Sequence, residues 1–127
     1  MSTPERYLVT SALPYANGRI HVGHIAGAYL PADIYVRFLR STGREAVFVC
    51  GSDENGVPIT ITAEKEGISP QEVVDRFHFS NAKAFAGLGI DFDVYGRTTS
   101  KHHAEQSQKF FLKLHQAGHI ELEPPKS

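Results

Sequence analysis

Hydrophobic and polar positions alternate with helix-like stretches along the chain in a way that predicts strands and helices in turn. Tyr7-Leu8-Val9-Thr10 has the β-branched, apolar character of a buried parallel strand, and Ala46-Val47-Phe48-Val49-Cys50 is a continuous apolar run of the kind covered on both faces. Between them, Ile20 to Arg40 reads as a helix, with Val22, Ala26, Tyr29, Ile34 and Phe38 near helical spacing and Gly43 as its stop. Pro31 inside that helix predicts a kink or bulge near Gly27 to Pro31, because proline removes one backbone hydrogen bond and crowds the carbonyl four residues back. A right-handed strand–helix–strand link then makes the two strands parallel neighbours.

Further along, Pro58 to Glu66 reads as a short helix ended by Gly67. Ser69-Pro70-Gln71-Glu72 combines an N-cap, a proline in the first turn and a capping-box glutamate, and so opens a longer helix. Val73, Val74, Phe77, Ala84 and Phe85 are its expected apolar face, and Leu88 is expected to bury its end against the sheet. His78, between Phe77 and Phe79, reads as a half-buried structural histidine. Alternation over Asp91 to Tyr95 predicts a short strand. Ser100 or Thr99 caps a last helix ending at Gly118, with Phe110, Phe111, Leu114 and Ala117 as its buried face. His102 and His103 are adjacent and diverge on a helix, so they read as surface residues rather than a metal pair. His119 to Glu121 starts like a strand and meets Pro124-Pro125.

The chemistry gathers where the first strand ends. TSALPYANGRIHVGH, Thr10 to His24, is a loop rich in proline, glycine and asparagine that leads into a helix, and in an open parallel sheet ligands bind at that edge. A helix amino end offers unpaired N–H donors and a positive dipole, which suits phosphate. His21 and His24 lie one turn apart on one face there, and Gly23 between them removes a Cβ that would hold a ligand off the backbone. Read alone, the HxGH pattern also fits one polar and one core histidine around a chance glycine. The second apolar strand ends in GSDENG. Asp53, Glu54 and Asn55 are ordinary turn formers, but two parallel strands put both loops at the same sheet edge, where Asp53 can meet what the first loop holds.

ALPYANGRIHVGH resembles the first active-site motif of class I aminoacyl-tRNA synthetases, and its ALPYANG lead-in resembles the methionyl-tRNA synthetases in particular. The likeness continues through GAYLPADIYVRFLRSTG and VCGSDENGVPIT and, more loosely, to Gly118. Val22 stands where the family usually has isoleucine. The resemblance implies an α/β fold, a Rossmann-like parallel sheet with flanking helices, residues 1–127 being the N-terminal half of the catalytic domain that binds ATP and methionine. It implies that His21 and His24 are catalytic and contact the ATP phosphates, that Gly23 lets adenosine lie against the helix, and that Pro14 and Asn17 shape the phosphate loop. It places Ala12, Leu13 and Tyr15 around methionine and Asp53 on its ammonium group, Glu54 being the neighbouring acid that is the poorer match. ATP with Mg²⁺, methionine and tRNA(Met) are the implied cofactor and partners.

Composition sharpens this. Basic and acidic residues number 13 and 14, so no basic footprint for RNA is visible and the RNA-reading surface is expected outside these residues. The family's Lys-Met-Ser-Lys-Ser loop, its zinc-bearing connective insertion and its anticodon domain are not in these residues, and a lone Cys50 leaves zinc possible only in the insertion. No apolar run approaches membrane length and the N-terminal MSTPERY is polar, which predicts a cytoplasmic protein without membrane contact. Adenylate formation needs no general base, because the attacking carboxylate is already ionised at neutral pH. Two other readings share the HxGH loop: a small-molecule nucleotidylyltransferase, against which ALPYANG and GSDENG argue, and a non-catalytic nucleotide-binding fragment.

Overall fold

A computed structural model of the chain describes residues 6–121 and 123. Three strands, β1 (Arg6–Thr10), β2 (Glu45–Ser52) and β3 (Val94–Arg97), form a parallel sheet in the order β1-β2-β3. Tyr7 pairs with Ala46 and Val9 with Phe48, and Cys50 pairs with Tyr95. The first strand pair is therefore parallel and adjacent, as the strand–helix–strand reading predicts. The sheet's covered face carries Tyr7, Val9, Ala46, Phe48, Cys50 and Tyr95, packed with Tyr29, Val36, Leu39, Phe85 and Ile90 from the crossover helices and a following turn.

The first crossover is not one uniform helix. It runs as α1 (Val22–His24), a π-helical turn over Ile25–Tyr29, and α2 (Leu30–Ser41). In the π turn the Leu30 N–H donates to the Ile25 carbonyl, five residues back. That wider turn, lying where Pro31 predicted a bulge, accommodates a ring that would otherwise crowd the Gly27 carbonyl. The extra residue also rotates the helix face. Tyr29, Asp33, Val36 and Leu39 are buried, whereas the expected Val22, Ala26, Ile34 and Phe38 are exposed. Buried Asp33 is held by Arg37 Nε one turn on, at 2.6 Å.

The second crossover contains α3 (Val57–Glu66), ended by Gly67 in the left-handed conformation, and α4 (Pro70–Gly87). The α4 capping box forms as read: Ser69 Oγ accepts from the Glu72 N–H at 3.2 Å, and Glu72 Oε2 accepts from the Ser69 N–H at 2.8 Å. Its apolar face is Val73, Val74 and Phe85, with Phe77 half-buried; Ala84 and Leu88 are exposed instead. Ile90, two residues past Leu88, takes the place against the sheet, because the chain turns at Gly89 with φ +71°.

The third strand begins later than alternation suggested. Asp93 precedes it, donating its N–H to the Phe48 carbonyl at 2.9 Å while its carboxylate accepts from the Phe48 N–H and Arg40 Nη2, both at 2.6 Å. Ser100, not Thr99, caps α5 (Lys101–Gln116), accepting from the His103 N–H at 3.2 Å. No residue of α5 is buried, so the expected face of Phe110, Phe111 and Leu114, continued by Ala117, does not pack here: Phe110 and Phe111 are exposed and Leu114 is half-buried. His102 and His103 are exposed as expected. His119 to Glu121 are irregular rather than strand, and Pro124 and Pro125 lie outside the described residues. Leu8, Val47 and Val94 are exposed on the sheet's second face, which no helix covers among the described residues. No helix there is long and apolar enough to cross a membrane.

Candidate functional site

Parallel pairing brings the ends of β1 and β2 to one edge, and the two following loops continue the pairing there. Tyr15 and Asp53 form a parallel bridge beyond the strands. The Asp53 N–H donates to the Pro14 carbonyl at 2.9 Å, and the Ala16 N–H donates to the Asp53 carbonyl at 2.7 Å. The two sequence-predicted loops are thus tied together backbone to backbone. Beside them a cavity of about 100 Å³ is lined by Pro14, Tyr15, Asn17, Gly18, Arg19, Ile20 and His24.

The histidine pair is arranged by its own backbone. His21 caps α1: its Nδ1 accepts from the Gly23 N–H, and His24 Nδ1 accepts from the His21 N–H, both at 3.2 Å. The two rings stack with centroids 3.8 Å apart. Because both Nδ1 atoms accept, each neutral ring carries its hydrogen on Nε2, leaving two exposed donors side by side. Gly23 has a local reason as well: a Cβ there would stand 3.1 Å from the His21 ring.

Not every predicted residue reaches the cavity. His21 borders a separate hollow with Ile20, Val22, Ile25, Ala84 and Leu88, while Ala12 and Leu13 lie exposed at the mouth of the loop. The Ala12 carbonyl accepts from Cys50 Sγ at 3.7 Å. Burial pushes the Cys50 thiol up to about 11, so it stays protonated and is no nucleophile. A larger concavity beside α5 is lined, among the described residues, by that helix alone.

The acids of GSDENG behave very differently. Glu54 is 4% exposed, and both its oxygens are occupied: Oε1 accepts from Ser52 Oγ at 2.6 Å and Arg97 Nε at 2.8 Å, and Oε2 accepts from Arg97 Nε at 3.0 Å and from the Thr99 hydroxyl. Asp53 is half-buried, and among the described residues its carboxylate has one long hydrogen bond, from the Asn55 N–H at 3.4 Å. Gly56 follows with φ +134°, a conformation side chains resist, and a Cβ there would collide with the Tyr15 hydroxyl.

His78 belongs to the buried side of this loop. It is 8% exposed, stacks on Tyr95, and lies 2.7 Å from Ser52 Oγ through Nδ1. Ser52 gives its single hydrogen to Glu54, so His78 Nδ1–H is the donor to Ser52. Burial holds the imidazole below its ordinary range, and Arg97 adds to this against the pull of Glu54 and Asp75. The unfolded chain then takes up the proton first on acidification. His78 therefore contributes stability above its unfolded pKa of about 6.5, and that contribution is lost as pH falls toward the lower folded value. Urea unfolding at pH about 7.5 and about 5.5 should show a shallower acid loss in His78→Gln than in the parent chain.

Three residues of the site escaped sequence reasoning. Arg19 lines the cavity with no ion pair among the described residues, and the signal that could have found it is a cation within a phosphate-type loop. Glu54 was visible only as a turn former and as the poorer match for the ammonium group, and Gly56 only as the end of GSDENG.

The family model for class I tRNA synthetases (M) matches residues 7–126. Methionine–tRNA ligase of Cytophaga hutchinsonii is 60% identical over 115 residues, covering 91% of this chain and 17% of the relative. The same-named protein of Chlorobaculum tepidum is 62% identical over 115 residues, 91% of this chain and 16% of the relative. The chain thus spans about a sixth of the length of these curated relatives. Among solved structures, Mycobacterium tuberculosis methionyl-tRNA synthetase in complex with methionyl-adenylate superposes with a TM-score of 0.86 at 30% identity, over 91% of this chain and 22% of that one. The ternary complex of Agrobacterium radiobacter K84 agnB2 LeuRS with tRNA and LeuAMS gives 0.81 at 27% identity, over 92% and 15%. The sheet is that of class I synthetase catalytic domains, and the chain belongs to the class I tRNA synthetases (M).

Proposed function

We propose that this chain supplies the methionine- and ATP-binding part of a methionine–tRNA ligase, as the N-terminal half of its Rossmann-like catalytic domain. The ligase joins the methionine carboxylate to the α-phosphate of ATP with release of pyrophosphate, and then passes methionine to tRNA(Met) with release of AMP, in the cytoplasm. The observation that carries this is the Tyr15–Asp53 bridge, which unites the two motif loops beside His24. Relatives of that name at 60% identity and more support the substrate assignment.

The chemistry follows from the residues. A carboxylate oxygen attacks the α-phosphorus, and negative charge grows on the phosphate oxygens as the pyrophosphate bond breaks. The Nε2–H groups of His21 and His24 meet that charge, and Arg19 adds a permanent cation at the cavity wall. Pro14 and Asn17 shape the phosphate loop, and Gly23 keeps the helix surface low for adenosine. Ala12, Leu13 and Tyr15 offer backbone and aromatic surface to a polarizable thioether. Asp53, with its oxygens largely free, pairs the ammonium group, a role for which Glu54 has no lone pairs left. Among the described residues, no three His, Cys, Asp or Glu side chains converge as a metal cage. These residues therefore do not fit a dedicated Mg²⁺ site of their own.

In a full-length ligase carrying these residues, Asp53→Asn should cost methionine about 2 kcal/mol or more of affinity and leave ATP affinity nearly unchanged. Calorimetric titration with each ligand separately is the measurement. Methionine binding untouched in this variant would leave the ammonium group without its assigned partner.

A further inference from the structure

The described residues hold one buried charged cluster that the proposed reaction does not use. Glu54 stands at its centre, with Ser52 from β2, Arg97 from β3 and Thr99 from the turn after β3 on its oxygens. Behind it, Arg97 Nη2 reaches Asp75 of α4 at 2.5 Å, and His78 of α4 donates to Ser52. The neighbouring backbone is held from the same side: the Glu54 N–H and Asn55 Nδ2 both donate to Thr98 Oγ1, at 2.8 and 2.9 Å.

This cluster grips alternate residues of an extended segment. Ser52 ends β2 and Asp53 continues the parallel pairing as a bridge, so successive side chains point to opposite sides. Ser52 and Glu54 point into the cluster, which turns the Asp53 side chain away from it. Among the described residues, the short bonds that fix Asp53 are those of its backbone, to Pro14 and Ala16. Nothing else in the described contacts sets the direction of its carboxylate except the long bond from Asn55.

We propose that Glu54, held by Ser52, Arg97 and Thr99, is a positioning residue that aims the Asp53 carboxylate at the substrate ammonium group. The inference rests on the reading of Asp53 given above. A buried carboxylate seldom adds net stability over a well-packed apolar group of the same size, so its contribution here is a single geometry for the loop. Loss of that geometry falls on methionine, because Asp53 serves methionine alone.

A double-mutant cycle tests this in a full-length ligase carrying these residues: Glu54→Gln, Asp53→Asn and the pair, read by pyrophosphate exchange at varied methionine and varied ATP. Glu54→Gln should raise KM for methionine about tenfold with little change in KM for ATP. In the Asp53→Asn background the same substitution should have almost no further effect, since the group it positions is gone. Losses that multiply in the double variant, or that fall equally on both substrates, would reduce Glu54 to a structural role and overturn the proposal. Should Glu54→Gln fail to fold, Thr99→Val and Ser52→Ala each remove one bond and take its place in the cycle. An Asp53→Asn variant with unchanged KM for methionine would instead overturn the reading of Asp53, and this inference with it.

Discussion

His21→Ala and His24→Ala are each expected to slow adenylate formation about a hundredfold in a full-length ligase carrying these residues, with far smaller effects on methionine affinity. Each substitution deletes one Nε2–H donor at the edge where the triphosphate is proposed to lie. A donor that meets charge only as it develops lowers the barrier without tightening ground-state binding, so the loss belongs in kcat for exchange. His21 is also the N-cap of α1, and alanine there removes a cap worth about 1 kcal/mol. His21→Asn separates the two contributions. Asparagine is a good N-cap, so this variant should keep its unfolding midpoint and still lose rate, because its short amide cannot stand where Nε2 stood. Single-turnover adenylate formation beside thermal unfolding is the measurement. Rate retained in His21→Asn would mean that the ring served the helix end and not the phosphates.

The parts of the site that lie in consecutive residues were legible in the sequence. The meeting of the His24 loop and Asp53 at one sheet edge follows from strand ends, and strand ends follow from the apolar runs before them, whereas Tyr15 and Asn17 rest on the family resemblance alone. Parallel pairing then did the rest, placing Pro14 and Ala16 on either side of Asp53. The π turn was legible only in part. Pro31 marked its place, but one extra residue in the turn moved the buried face from Ile34 and Phe38 to Val36 and Leu39, and a strict helical period has no means of showing that. Leu88 and Ile90 exchanged roles for a similar reason, since the turn at Gly89 redirects the chain. Glu54 was hidden most deeply. Its partner Arg97 is 43 residues away, and no local pattern tells a turn-forming acid from a buried one.

Periodicity along α5 predicts a buried face, yet among the described residues nothing covers Phe110 or Phe111. A polypeptide of these 127 residues alone should catalyse methionine-dependent pyrophosphate exchange about a thousandfold more slowly than the full-length relatives, a loss of about 4 kcal/mol of transition-state stabilisation. The sequence has no Lys-Met-Ser-Lys-Ser run, so the donors left for a developing triphosphate charge are the two histidines and Arg19. Its sheet also shows Leu8 at 72% and Val94 at 51% exposure, and α5 shows Phe110 at 66%. Apolar surface of that kind favours self-association, so size-exclusion chromatography should find the polypeptide in oligomers or in need of solubilising conditions. Ligand binding and turnover are separable here, because the Tyr15–Asp53 edge is complete within the chain. Titration with ATP and with methionine, set beside exchange on a sample freed of host enzyme, distinguishes a binding fragment from a catalyst. Exchange within about tenfold of a full-length relative would show that the histidine pair and Arg19 suffice for the chemistry.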